Sequence, residues 1–497
     1  MQAASDVCGH TESYYASSNN CSDTTSTDSD IDFSDLEEEE HAGLFSSYDV
    51  LDEECTSPDF WGEPDQVISI EPFSADSGPQ HSLGDDADTL DYFRLLFPDS
   101  LFEHMVEQTN NYALYRQRRS GRSDPHWHPT DVREMKAYVG LNILMGINQL
   151  PDYGMYWASD IFIGNAGFKK TMTARRFEKL NQNLHLCDRL SEPSKGELGY
   201  DGLYKIRPLL DMVGNTMWDA CLPNRCLTID ECAIATKGRF SPTQYMPSKP
   251  LRKGLKVWML CDSRSGYCHR TRLHVGKPGD DAAVAALGHR VVMSLVRGLE
   301  GRHHHLFMDS FFTSVPLLQR LMQDGLYACG PTNPYRRGYP DALRPRSVGK
   351  LEPGEFYQCQ RGNLVATITK DAKVENMRGV DLCDQLRECY QVGRPCKKWW
   401  RYFLWFYVNL CIVNAYIILR ESREIAVYGH GKWIRLIESV TDFTHLDCSR
   451  QVRLGTLAAV IGDPTAHDTS DLYLVSQEQP GELSGKVNEG IINFIWM

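Results

Sequence analysis

Beyond residue 90 the apolar positions recur with two different periods, and the change falls near Arg225. Before it the spacing is helical. DYFRLLFPDSLFEHMVEQTNNYA carries such a face, broken at Pro98. Val132, Met135, Val139, Ile143 and Ile147 recur every three or four residues behind Thr130 or Asp131, either of which can cap the helix. Phe177, Leu180, Leu184 and Cys187 form another face after the Arg175–Arg176 pair. From Arg225 short β-rich runs take over. RCLTIDE is followed by LKVWMLCD and YCHRTRLHV, which flank the turn SRSG as a hairpin. DDAAVAALGHRVVMSLVRGL returns to helix, with Val284, Leu287, Val291 and Leu295 on one side. HHLFMDS reads as a short buried strand. SVPLLQRLMQDG reads as a helix with Ser314 as cap, Pro316 in the first turn and Gly325 as its stop. YACG and NLVATITK read as strands, and residues 376–390 and 397–420 as helices. This order predicts an α/β layer fold around a mixed central sheet. The longest apolar stretch, Leu404–Leu419, holds Asn409 and Asn414 and falls short of the ~20 residues of a membrane span. A buried helix is expected, and no membrane partner.

Charge divides the chain differently. Residues 1–90 contain no Lys or Arg and 23 Asp or Glu. The remaining residues hold 52 basic and 43 acidic side chains, so a net −14 conceals a −23 tail and a +9 body. A segment so charged and so poor in apolar residues cannot offset the entropy of ordering, so a disordered acidic tail is expected over 1–90. Ser29 and Ser34 stand before acidic residues as candidate phosphorylation sites. The tail either solubilises the protein or competes with a polyanion for the basic body. The chain opens without a basic n-region or apolar run, and its 16 cysteines include no CxxC pair. Reduced thiols, and no structural zinc, are the expectation.

Three acids occupy special places in the strand pattern. Asp230 follows the hydrophobic run Cys226–Ile229, Asp309 ends LFM, and Asp381 lies early in the helix RGVDLCDQL. Acids at the ends of neighbouring buried strands and on an adjacent helix converge at one sheet edge, where their oxygens suit Mg²⁺ or Mn²⁺. Asp384, three residues on, faces roughly the same way as Asp381 and is a possible fourth ligand. Glu231 should point to the other face of its strand. The plainer alternative is that such acids are turn residues and helix caps. His303, His304 and His305 alternate across a strand and cannot easily share one ion. His126 and His128 read as surface residues. Basic residues follow the acids: Lys237, Arg239, Lys249, Arg252, Lys253 and Lys256 after Asp230, and Arg394, Lys397, Lys398 and Arg401 after Asp381, with Trp399 and Trp400 among them. They are candidate DNA contacts, because Lys and Arg attract phosphates and aromatic faces stack on bases. A solvated basic face with two core tryptophans explains them equally well.

These segments carry a resemblance. TIDECAIATKGRFSPTQYMPSKPLRKGLKVWMLCDSRSGY, HHHLFMDSFFTSVPLLQRLMQDGLYACG and MRGVDLCDQLRECYQVGRPCKKWWRYFLWFYVNLCIVNAYIIL resemble, in order, the three catalytic blocks of the piggyBac transposable-element-derived family of DDE-type transposases. FRLLFPDSLFEHMVEQTNNYA and RFEKLNQNLHLCDR resemble its helical N-terminal region. The likeness spans roughly residues 91–425. It implies an RNase H-like catalytic core at 226–425, a helical dimerisation and DNA-binding region at 91–225, and a tail at 426–497. It implies catalytic, metal-binding roles for Asp230, Asp309 and Asp381, with Asp384 as a further important acid. It also implies two Mg²⁺ ions, double-stranded DNA with TTAA targets as partner, action as a homodimer, and a nuclear location.

Several features depart from that pattern. Residues 426–497 contain only Cys448, so the family's usual Cys-rich end-binding module is not expected there. The chain before residue 376 looks shortened, Arg378 replaces the first Gly of the usual GGVD, and GPTNPYRRG differs from the family's segment. KVNEGIINFIWM has no evident role. Two functions follow: a transposase or recombinase that cuts and joins DNA phosphodiesters, or a domesticated DNA-binding or chromatin-interaction protein without catalysis. The intact acids favour the first, and the departures favour the second.

Overall fold

This computed structural model describes residues 60–194, 196–236, 244–245, 253–274, 281–352, 354–370, 375–390, 392–394, 396–423 and 491–496. Before Arg225 the chain is helical: α1 (Thr89–Leu96), α2 (Asp99–Ser120), α3 (Val132–Ile147), α4 (Ala166–Thr171), α5 (Ala174–Asn183) and α6 (Arg207–Ala220). Capping side chains set several starts. Asp88 accepts from Asp91 N at 3.0 Å, Asp131 from Glu134 N at 2.8 Å, and Thr173 from Arg176 N at 3.2 Å. Met135, Val139 and Ile143 are buried together with Phe177, Leu180 and Leu184.

The strands are β1 (Gly78–Pro79), β2 (Cys221–Leu222), β3 (Cys226–Ala235), β4 (Gln244–Tyr245), β5 (Lys253–Asp262), β6 (Cys268–Leu273), β7 (His305–Met308), β8 (Tyr327–Pro331), β9 (Phe356–Arg361), β10 (Leu364–Lys370) and β11 (Ile491–Trp496). The later helices are α7 (Asp281–Val296), α8 (Val315–Gln323), α9 (Pro345–Val348), α10 (Gly379–Glu388) and α11 (Trp399–Ser422). β1 pairs with β2. The other nine strands form one sheet in the order β4-β5-β3-β7-β8-β11-β10-β9, with β6 also on β5. β3 runs antiparallel to β5 and parallel to β7, and β7 runs parallel to β8. The sheet is therefore mixed, as expected, and its centre is RNase H-like.

Alternation along the strands gives the sheet two apolar faces. Leu227, Ile229, Leu260 and Met308 meet Val291, Leu295, Leu317 and Leu318 of α7 and α8. Cys232, Ile234, Val257, Met259 and Cys261 meet α10, α11 and the N-terminal helices. α11 is long and apolar enough to cross a membrane, but it lies buried in the interior. Its asparagines are satisfied there. Asn414 bonds the N–H and C=O of Cys268, and Asn409 donates to the carbonyls of Arg387 and Tyr390.

Two segments depart from the sequence expectation. The tail expected to be disordered through residue 90 is in place from residue 60. Trp61 Nε1 donates to Gly338 O at 3.0 Å, and Gly62 exchanges backbone hydrogen bonds with Gln360. Glu71 N donates to Tyr327 Oη at 2.7 Å, and the Phe73 ring lies 4.9 Å from that of His304. A few aromatic residues and strand-like backbone bonds anchor a stretch whose average composition is acidic. Residues 1–59, including Ser29 and Ser34, lie outside the described residues. The second departure is the closing segment without an evident role. Ile491–Trp496 is β11, antiparallel to both β8 and β10.

Candidate active site

β3 and β7 pair as far as Ile229 with Met308, and the first residues past that pair are Asp230 and Asp309. Adjacent strands lie about 4.8 Å apart, so the two acids stand side by side. By alternation both lie opposite the face carrying Ile229 and Met308. Asp230 is within β3, which continues against β5 to Ala235, and not at its end. Asp309 begins the turn to α8. Its carboxylate accepts from Ser310 N at 2.6 Å, and its carbonyl accepts from Phe312 N and Thr313 N. The turn role considered for this acid is therefore real. It fixes the backbone of the carboxylate without burying the side chain. Arg336 clamps the same turn by donating to Phe311 O at 2.8 Å and Thr313 O at 2.5 Å. Burial lowers the Arg336 pKa, and the nearby Asp309 charge partly opposes that shift. Close packing continues across the sheet: a Cβ at Gly330 would lie 2.1 Å from Met308 O.

The third acid arrives on α10. Thr228, two residues before Asp230 and on the same face, accepts from Gly379 N at 3.3 Å and donates to Asn376 O at 2.8 Å. Gly379 permits the approach, because a Cβ there would lie 2.7 Å from Asp262 O and 2.8 Å from Thr228 Oγ1. About two turns further on, Arg387 reaches Cys232 Sγ at 3.4 Å. α10 thus starts over Thr228 and reaches Cys232; Asp381 falls between these two contacts in sequence and is exposed. Asp384 is bound elsewhere: Arg387 donates to it at 3.2 Å and sits 5.0 Å from the Phe406 ring centroid. Its partner is thus on its own helix, and Arg387 makes the contacts beyond it, to Cys232 and Phe406.

Carboxylate oxygens are the donor set that Mg²⁺ or Mn²⁺ takes, so the three acids fit a hard divalent cation chemically. Among the described residues, no group of three or more His, Cys, Asp or Glu side chains is gathered as a cluster that could hold a metal ion. Glu231 lies on the other face, paired with Lys256. His304 is buried and faces Asn224 O at 2.9 Å, and His126 lies 3.5 Å from the Arg175 guanidinium.

The candidate DNA contacts fare unevenly. Lys237, Arg239, Lys249 and Arg252 lie outside the described residues, and Lys253 opens β5. Lys256 is 9% exposed, bound to Glu231 and 4.7 Å from the Phe311 ring centroid. Arg394 donates to the carbonyls of Leu150 and Pro151. Arg401 is 7% exposed, bonded to Asn181 and placed over Trp400. These three are engaged with other groups of the fold, Lys256 and Arg401 buried and Arg394 half-buried. Arg175 is exposed, whereas its neighbour Arg176 is buried and bonds Glu134 through two nitrogens. Lys397 is exposed, and the Lys398 ammonium sits 5.6 Å from the Tyr112 ring centroid. Sequence alone did not point to Thr228, Gly379, Arg336 or Arg387. The glycine two residues before Asp381 was the available signal.

Residues 88–374 match the family described as Transposase IS4, a DDE-type group. PiggyBac transposable element-derived protein 5 of Homo sapiens is 24% identical over 407 residues, which cover 72% of this chain and 76% of that protein. PiggyBac transposable element-derived protein 3 of Homo sapiens is 25% identical over 380 residues, covering 66% and 61%. The cryo-EM structure of a piggyBac transposase synaptic complex with hairpin DNA superposes with a TM-score of 0.64 at 22% identity, over 80% of this chain and 90% of that one. At that identity the likeness establishes the fold.

Proposed function

The chain belongs to the piggyBac-type family of DDE transposases, and we propose that it cuts and joins DNA phosphodiesters at Asp230, Asp309 and Asp381. What supports this reading is the register ending at Ile229 and Met308, just before Asp230 and Asp309, together with the seating of Gly379, two residues before Asp381, on Thr228. These three acids would hold the divalent cations, and Asp384 would steady α10 through Arg387. Two such ions supply charge stabilisation for the attacking and leaving oxygens of an in-line displacement. The protein's own part is positional. β3 and β7 fix two carboxylates, the Ser310 N–H orients Asp309, and Arg336 keeps the turn beside it rigid. The partner on this reading is double-stranded DNA, with TTAA targets, a homodimeric protein and a nuclear location as further parts of the proposal.

The test is nicking of a supercoiled plasmid in Mg²⁺ or Mn²⁺ by the full chain and by Asp309→Asn, with Mn²⁺ binding followed by calorimetry. Loss of one ligand should lower nicking by roughly 10³-fold or more, a barrier change of about 4 kcal/mol. Equal nicking by both proteins overturns the assignment. A second reading, DNA binding without catalysis, draws on the absence of a gathered metal cluster among the described residues. It stands if the wild type binds duplex but neither binds Mn²⁺ nor nicks.

A further inference from the structure

β11 enters the large sheet from far along the chain. It lies antiparallel between β8 and β10. Phe494, Ile495 and Trp496 pair with Pro331, Gly330 and Cys329 on one side, and Ile491 to Trp496 pair with Lys370 to Val365 on the other. Residues 424–490, which connect it to the end of α11, lie outside the described residues. A connection of that length can span up to roughly 220 Å at about 3.3 Å per residue, so it dictates no place for the strand. What holds β11 is the slot itself, two facing rows of backbone donors and acceptors. Such rows recognise an extended chain of matching length, and alternate side-chain positions add selectivity. The slot is coupled to the acids through β8. β7 pairs with β8 only as far as Phe307 with Cys329. Among the described strands, Gly330 and Pro331 therefore have their ladder partners in β11 alone. Gly330 in turn sits close to the Asp309 turn, since a Cβ there would lie 2.1 Å from Met308 O and 2.5 Å from Thr313 Oγ1. Thr332 follows Pro331, is buried, and donates to Thr313 O at 3.0 Å. Arg336 reaches Phe311 O and the same Thr313 O. These contacts all fall on the turn that Asp309 opens or on the residue before it.

We propose that the slot between β8 and β10 is a binding site for an extended peptide, that residues 491–496 are its resident ligand, and that its occupancy sets the turn carrying Asp309. The ligand class is a short, uncharged, largely apolar strand, which is what IINFIW is. The consequence for the reaction rests on the reading above that Asp309 holds a catalytic ion; the binding site itself does not. With the slot empty, Gly330 and Pro331 lose their ladder. Thr332 and Arg336 then lose the fixed base from which they hold the turn, and the Asp309 carboxylate loses its aim. β11 thus acts as a positioning element, through β8, and touches no reacting group. An ordinary structural strand differs in its consequences. Its removal loosens the sheet at large, and a detached copy does not restore the lost order.

The experiment uses the full chain with Ile495→Pro, because proline inside a central strand removes a ladder hydrogen bond. The probe is a fluorescently labelled synthetic peptide of residues 486–497, KVNEGIINFIWM, and the control is the same peptide carrying Ile495→Pro. By anisotropy the labelled peptide should saturate the variant. It should bind wild type at least ~10-fold more weakly, because the tethered strand competes at high effective concentration. The control peptide should bind neither protein. Hydrogen exchange of residues 309–313, where Phe312 N and Thr313 N donate to Asp309 O, is read by mass spectrometry. It should speed up in the variant and slow again when the peptide is added, while α2 stays equally protected throughout. Metal-dependent nicking should fall in kcat rather than KM and return with the peptide. If circular dichroism shows the proline variant unfolded, full-length Trp496→Cys decides: position 496 pairs with Cys329, so oxidised glutathione should join the two thiols, and prior addition of the peptide should suppress that bond. Equal binding to both proteins, no binding to the variant, or unchanged exchange at 309–313 overturns the inference. So does a cross-link that fails to form or that the peptide leaves unaffected. Each of these results leaves the proposed catalysis standing. A wild type that never nicks, with the peptide and exchange results as expected, removes the catalysis and keeps the site.

Discussion

Gly379→Ala sets two effects of opposite sign against each other. Alanine favours a helix over glycine by about 1 kcal/mol in a helix interior, and by less in the first turn where this residue stands. Against that, the new Cβ would lie 2.7 Å from Asp262 O and 3.1 Å from Asp262 C. Neither partner yields easily. Asp262 N donates to Tyr267 O, and its carbonyl accepts from Gly266 N at 3.0 Å. The start of α10 must therefore lift by about 0.7 Å to reach ordinary contact at 3.4 Å. That movement breaks the bond from Gly379 N to Thr228. Overpacking of this kind costs about 1–3 kcal/mol, so it outweighs the propensity gain and leaves a net loss of about 1–2 kcal/mol. Asp381 moves with the helix. If it holds a catalytic ion, a displacement near 1 Å costs on the order of 100-fold in rate. Urea denaturation reads the first effect and metal-dependent nicking reads the second. A Gly379→Ala protein as stable as the wild type, with full nicking, would refute the tight seat of α10 and the positional account of Asp381.

Other substitutions probe other parts of the scaffold. Burial lowers His269 from its ordinary 6.5 to about 4, with the nearby Asp262 charge opposing the shift. The unfolded chain therefore takes up this proton first, and stability should fall as pH drops from 6.5 to 4 and change no further below that, by about 3 kcal/mol in all. His269→Gln should remove that share of the acid sensitivity, measured as urea midpoints at pH 7, 5.5 and 4.5; parallel curves for the two proteins would contradict it. Arg387→Met leaves the carboxylate of Asp384 without its guanidinium, at side-chain exposures of 12% and 21% for the pair. A loss of about 3 kcal/mol is expected, largely recovered by Arg387→Met/Asp384→Leu, because an unpaired buried charge costs more than an absent pair. No recovery in the double variant would locate the loss in the Phe406 contact instead.

The strands that carry Asp230 and Asp309 were legible because strand alternation and a short buried run are local properties. Alternation also removed Glu231, which lies with Lys256 on the far face. The seat of α10 was not legible, since Thr228 and Asn376 are far apart in sequence and nothing local links them. The same limit hid the partners of Arg394 and Arg401. A cation in a basic run looks solvated until its distant carbonyl partners, Leu150, Pro151 and Asn181, are known. β9 went unread because Phe356 and Tyr357 are exposed, as edge-strand residues can be, and give no buried period. Residues 60–88 were hidden by averaging, because the count of acids outweighed Trp61 and Phe73.

β11 has a consequence for how the protein is made. Gly330 pairs with Ile495, so among the described strands β8 and β10 join through residues synthesised some 160 positions after β8. Until they emerge from the ribosome, β8 presents an open backbone edge, and the β9–β10 hairpin has no strand linking it to the rest. Such edges recruit other strands. The sheet must therefore be finished after most of the chain has been translated, by a slow, long-range closure. A nascent chain stalled before residue 491 should be a stronger client for chaperones than its apolar content alone would suggest.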